Sequence, residues 1–224
     1  MLTVFDARQA RHQPLLELQD GAFTQFAESP TRANAILSRL PDPIAPDDFG
    51  IDPILAVHAA DYVGFLKSIY ADWRGEGRAG DAIPYVFPVG AQSKRDHLRI
   101  DARIGSFAYD VGTPIAEHTF ESAYWSAQTA LTALDTISSG AAARSFALCR
   151  PPGHHAGRAY CGGYCYFNSA AIAAEKARES GARRVAILDV DYHHGNGTQD
   201  IFYARDDVFV VSIHADPRVD YPFF

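Results

Sequence analysis

The spacing of apolar residues changes character midway along the chain. Near the start, Leu2-Thr3-Val4-Phe5 reads as a first strand. Residues 31–40, TRANAILSRL, follow Pro30 and predict a helix. Over 54–74, Leu55, Tyr62, Phe65, Leu66 and Ile69 recur at helical spacing and predict a second. From Gly75 to about Pro114 the chain is rich in Gly, Pro and charge, with only short apolar pieces. That is too long for a plain connection and reads as a functional or partner-binding insertion. Phe120 to Ile137 is rich in alanine and stops at Gly140, which predicts a third helix.

After that, short apolar runs alternate with helical ones. Residues 145–149 (SFALC) read as a buried strand and 151–163 as a Pro/Gly/His-rich loop. Residues 167–180 predict a helix ending at Gly181, 184–190 a strand, 198–203 a short helix and 208–213 a further strand. Alternation of this kind predicts an α/β fold with a mainly parallel sheet and right-handed crossovers. Ligands in such sheets sit at the carboxyl ends of the strands. Three of the predicted strands run into PPGHH (151–155), DVDYHH (189–194) and SIHAD (212–216), so three polar clusters should share one rim.

Composition narrows the partners. The chain has 224 residues, a net charge of −7, 47% hydrophobic and 21% charged residues, an ordinary globular balance. An acidic chain without a basic stripe argues against nucleic acid, and no apolar run is long enough to cross a membrane. No leader peptide is visible at the start. Three cysteines, Cys149, Cys161 and Cys165, point to a reducing cytoplasm rather than a disulfide framework. The acidic balance suits a small cationic substrate.

The candidate chemistry is densest at Asp189-Val190-Asp191-Tyr192-His193. Side chains alternate at a strand end, so 189, 191 and 193 tend to project together. Carboxylates with an imidazole suit zinc, or manganese or iron; alternatively the two acids cap the following turn and His193 is a packed loop residue. His154 and His155, in a loop stiffened by Pro and Gly, could supply a general base and an electrostatic partner. Each needs a group to orient its other nitrogen, and Asp189 and Asn196 are available; as bland alternatives the pair could be surface residues or metal ligands. Cys161-x3-Cys165 lacks a second pair and does not read as a zinc site. Gly162-Gly163 would let backbone approach a substrate beside Tyr164.

CRPPGHHA (149–156), GGYCYFNSAAIAA (162–174), ILDVDYHHGNGTQDIFY (187–203) and VSIHADP (211–217) resemble the zinc-dependent deacetylases of the arginase/deacetylase fold. VHAADYVGFL (57–66), FPVGAQ (87–92) and the 75–114 segment resemble the acetylpolyamine amidohydrolase branch of the histone deacetylase family. The resemblance implies a three-layer α/β sandwich in one catalytic domain over 1–224. It implies Asp191 and His193 as two of three zinc ligands, with His154 and His155 as the paired histidines and His155 the proton shuttle. Asp189 would orient His154, and Asn196 would partner His155 where some relatives carry Asp. A monovalent cation, K+ by resemblance, would sit at Asp189 and Ser212, with backbone at His193 and Ile213. Gly163, Tyr164 and Tyr221 would wall a narrow tunnel, with Asp110 and Glu117 as candidate acids at its mouth. Ser169 replaces an Asn common in the family.

The activity implied is hydrolysis of acetylated polyamines or related acetylaminoalkyl compounds, with a homodimer formed through the 75–114 loop. The third ligand, an Asp, and a carbonyl-binding Tyr are not found before Phe224. We therefore expect a C-terminally truncated chain that lacks the last strands and helices and, if nothing follows, has impaired activity. The alternatives are a non-catalytic remnant acting as an interaction module, or an acetyl-lysine deacetylase. A two-metal ureohydrolase is disfavoured by PPGHH.

Overall fold

The computed structural model describes residues 1–90, 97 and 99–224. The strands, in chain order, are β1 (Leu2–Val4), β2 (Leu16–Gln19), β3 (Ala22–Gln25), β4 (Ser145–Ala147), β5 (Val185–Asp189) and β6 (Val208–Ser212). The helices are α1 (Pro30–Leu37), α2 (Asp52–Val57), α3 (Ala60–Gly75), α4 (Ile100–Gly105), α5 (Thr119–Ser138), α6 (Ser169–Glu179) and α7 (Asn196–Phe202), with a 3-10 turn at Ala7–Arg11. The sequence leads to an α/β fold with parallel pairing, and both β1–β4 and β5–β6 pair in parallel.

The single sheet expected from the alternation is divided among the described residues into two parallel pairs and a small antiparallel hairpin, β2–β3. Periodicity identifies a strand but not its neighbour. β4 bonds to β1 and β5 to β6, and the two pairs meet instead through the loops at their carboxyl ends. On β5–β6, Val185, Ile187, Val208 and Val210 turn into the core. The opposite face exposes Leu188, Phe209 and Ile213, each more than 60% accessible. The hairpin was not anticipated, although its turn, Asp20-Gly21 with both φ angles positive, carries the usual signal for one.

The helix expected over 54–74 is two helices, α2 and α3, with an extended break at His58. The break has a physical cause. The His58 imidazole is fully buried; Nδ1 lies 2.9 Å from the Gly157 carbonyl and Nε2 accepts from the Asn168 backbone N–H at 2.9 Å. A helical His58 could not reach both. Burial pushes its pKa down to about 4, so it stays neutral. Asn168 in turn caps α6, accepting from Ala171 N at 3.0 Å, a contact contributing about 1 kcal/mol. Its amide donates to Ala156 O and Thr198 Oγ1, so one buried side chain ties α6 to the histidine loop and to α7.

Part of the 75–114 insertion is built rather than loose. Arg78 pairs with the buried Asp101 at the start of α4, Arg103 reaches Asp72 at 2.6 Å, and Ala82 bridges to Ile115. Tyr85 and Val89 stand out from it, 83% and 75% exposed. Residues 91–96 and 98, which include the end of the FPVGAQ stretch, lie outside the described residues. The core beneath the site is formed by Ile54, Tyr62, Leu66, Ile69, Leu131, Tyr166, Phe167 and Ile172.

Candidate active site

The histidine loop hangs from β4 through Arg150, which is 2% exposed. Its guanidinium donates to Glu28 Oε1 at 3.0 Å, Gln9 O at 2.8 Å and Glu28 O at 2.9 Å, and its backbone N–H donates to Gln9 Oε1. Ser126 Oγ then holds the Pro151 carbonyl at 3.1 Å. With the stem fixed, His154 and His155 follow side by side, ring centroids 4.0 Å apart.

Each imidazole is oriented by a different partner. His154 Nδ1 lies 2.8 Å from Asp189 Oδ2; a carboxylate only accepts, so Nδ1 donates, which leaves Nε2 to face Asp191. Burial disfavours the charge on Asp189, but the hydrogen bonds from His154 and from the Asp191 backbone N–H outweigh it and hold the carboxyl below its usual range. His155 Nδ1 lies 2.7 Å from Asn196 Oδ1, which leaves Nε2 as a free base. Burial, then the neighbouring His154 and His193, push His155 down to about 4; the bond to Asn196 only partly opposes this. A neutral amide fixes the tautomer but stabilises the imidazolium less than a carboxylate would. Exchanging Asn196 for Asp should raise the His155 midpoint from about 4 by at least about one pH unit. An NMR titration of the metal-free protein reads this directly, and an unmoved midpoint would contradict it.

Asp191 and His193 lie across from this pair. His154 Nε2 is 3.8 Å from Asp191 Oδ1, and the His155 and His193 ring centroids are 6.1 Å apart. Asp191 Oδ1 accepts from the His193 backbone N–H at 2.8 Å and stands 3.4 Å from His193 Nδ1. Two donors each about 2.0–2.1 Å from one tetrahedral ion are about 3.3–3.4 Å apart, so the pair fits two corners of a zinc site. The side chains are 51% and 42% exposed, open to further ligands. No group of three or more His, Cys, Asp or Glu able to hold a metal is present among the described residues.

Beneath them, Asp189 and Ser212 are register partners on β5 and β6, and the Asp189 carbonyl accepts from Ile213 N at 2.9 Å. Gly195 lies so close that a Cβ there would stand 2.3 Å from Asp189 Oδ2.

The tunnel residues separate into two groups. A Cβ on Gly163, whose φ is +56°, would stand 2.2 Å from His155 Cδ2 and 2.9 Å from Tyr221 Cε1. Gly163 and Tyr221 thus flank His155, and the Tyr221 ring meets it edge-on at 4.9 Å. Tyr164, the next residue, packs edge-on to Phe26 at 5.1 Å. Asp110 is not free at a mouth: it binds Gly163 N and Tyr221 Oη. Glu117 lines a separate groove with Lys67, Tyr70 and Arg74. His58, Asn168, Arg150 with Glu28, and the Asp110 contacts were not read from sequence as parts of the site. Only RPP adjoining GHH hinted at any of them.

Comparison with known proteins follows the same residues. The histone deacetylase domain model matches residues 22–224. The chain is 48% identical to acetylpolyamine amidohydrolase 1 of Pseudomonas aeruginosa, covering 100% of this chain and 66% of that protein. Identity to the acetylpolyamine amidohydrolase of Mycoplana ramosa is 42%, over 100% of this chain and 67% of that one. A crystal structure of an acetylpolyamine aminohydrolase from Burkholderia pseudomallei superposes with a TM-score of 0.90 at 42% identity, covering 100% of this chain and 66% of the other. The chain therefore spans about two thirds of the length of these relatives. The paired histidines and the Asp191–His193 turn lie inside the matched span, and the chain belongs to the histone deacetylase domain family.

Proposed function

We propose that the chain carries the proton-transfer and substrate-channel part of a zinc-dependent amidohydrolase that deacetylates acetylated polyamines or related acetylaminoalkyl compounds. The observation that carries this reading is the convergence of two imidazoles, each oriented through Nδ1, on the Asp191–His193 donor pair. The names of the relatives support the substrate class. Asp191 and His193 would hold zinc, which when bound supplies a Lewis acid and a water with a pKa lowered to about 7.

The remaining chemistry belongs to the chain's own residues. His155 Nε2, a free base, takes the proton of the attacking water and returns it to the departing amine nitrogen. His154, held by Asp189 through Nδ1, presents Nε2 to the site beside Asp191. Asp189 and Ser212 would hold K+. The Gly163 backbone and the Tyr221 ring exclude bulky groups and bulk water from His155. The exposed Tyr85 and Val89 of the insertion support a homodimer through the 75–114 segment.

Zinc titration with a competing chelator, run beside hydrolysis of N-acetylputrescine and of an acetyl-lysine peptide, tests this. We expect one zinc per chain, binding lost in His193→Ala, and preference for the small amine. Failure to bind zinc, with no turnover, would instead make the chain a non-catalytic member of the fold.

A further inference from the structure

One carboxylate oxygen joins two walls of the passage to His155. Asp110, in the segment between α4 and α5, accepts at Oδ2 from Tyr221 Oη at 2.6 Å, Gly163 N at 2.8 Å and Thr113 Oγ1 at 3.1 Å. Thr113 Oγ1 also accepts from Tyr164 N at 3.0 Å. Tyr109, the residue before Asp110, stacks on Tyr221 with centroids 6.1 Å apart and an interplanar angle of 27°. Gly163 and Tyr221 come from loops 58 positions apart in sequence (221 − 163) and share no backbone pairing. What sets their separation is the common acceptor.

We propose that Asp110 is a positioning residue that sets the bore of the passage and thereby its selectivity for slender, unbranched acylaminoalkyl chains. This rests on the hydrolase reading for its substrate class, but the clamp itself does not. Losing the carboxylate frees the Tyr221 hydroxyl and the Gly163 amide together, so the Tyr221 ring is no longer fixed against His155. Asp110→Asn keeps an oxygen of the same shape at Oδ2 and should retain most of the effect; Asp110→Ala should not.

Two measurements on the full chain test this. The first is a double-mutant cycle between Asp110→Ala and Tyr221→Phe on the unfolding constant. Coupling is expected, the double variant losing several-fold less than the product of the single losses. The second is the ratio of kcat/KM for N-acetylputrescine over an N-acetyl amine branched beside the amide. Asp110→Ala should lower this ratio about tenfold, chiefly through KM for the slender substrate, with Asp110→Asn near the parent value. Additive losses in the cycle overturn the clamp, whatever the turnover. Coupling with equal losses on both substrates reduces Asp110 to a structural role and overturns the selectivity. Coupling in a chain that hydrolyses neither substrate overturns the hydrolase reading and the selectivity with it, and leaves the clamp.

Discussion

Replacing Arg150 with Met should lower the unfolding free energy by about 3–5 kcal/mol at neutral pH, the largest stability loss expected from a single change in this chain. The side chains of Arg150 and Glu28 are 3% and 4% exposed. Removing the cation leaves the Glu28 carboxylate buried without its counter-charge, and deprives the Gln9 and Glu28 carbonyls of their donors. Met fills similar volume, so a cavity is not the main cause.

The loss should depend on pH, and its sign can be derived. Burial raises the Glu28 pKa above the usual range even in the intact protein, with Arg150 pulling it back down. A carboxyl whose folded pKa is raised favours the folded state most when protonated, and that contribution is lost as pH rises through the folded pKa. Without Arg150 the folded pKa climbs further. The deficit of Arg150→Met should therefore be full at pH 7 and shrink as Glu28 takes up a proton in acid. Urea unfolding at pH 7 and pH 5 measures both, and Arg150→Met/Glu28→Gln should regain part of the loss. A deficit below about 1 kcal/mol, or one that does not change with pH, contradicts the account.

The consequence reaches the site because Arg150 is the last residue before the PPGHH loop. The pattern of the sequence could not show this. An arginine beside a proline pair is ordinary, and Glu28, in AESPTR, is 122 residues from its partner. The partnership exists only once the 3-10 turn at Ala7–Arg11 and the start of α1 have packed beside β4.

What was legible follows the same division. Parallel pairing of β5 with β6 could be read because Val185–Asp189 and Val208–Ser212 are both apolar runs separated by a helix. The shared rim could be read because the His154 loop follows β4 and Asp189 closes β5, at ends where the chain must turn outward. The break at His58 could not, since the apolar spacing runs straight through it and the cause lies in Gly157 and Asn168. Asp110 misled for a related reason. From sequence it reads as an acid facing a cationic substrate at a tunnel mouth, whereas its oxygen is bound by donors 53 and 111 positions later in the chain. Local periodicity reports which side of an element is buried; it carries no information on which distant polar group answers a buried one.

The other large effect is expected from His155→Ala, and it should separate proton transfer from metal binding. Turnover of N-acetylputrescine should fall by about 10²–10⁴-fold relative to the parent chain's own rate, the usual contribution of a positioned general base. Zinc affinity should stay nearly constant, because Nδ1 of His155 is bound to Asn196 and the ring centroid is 6.1 Å from that of His193. His154→Ala should behave differently. It removes the hydrogen bond that helps hold Asp189 ionised, as well as the imidazole 3.8 Å from Asp191 Oδ1, so both metal affinity and rate should change. Comparing the two variants by chelator competition and by rate therefore assigns the roles. Equal zinc loss in both would tie His155 to the metal as closely as His154 and overturn the separate roles that the Asn196 and Asp189 contacts support.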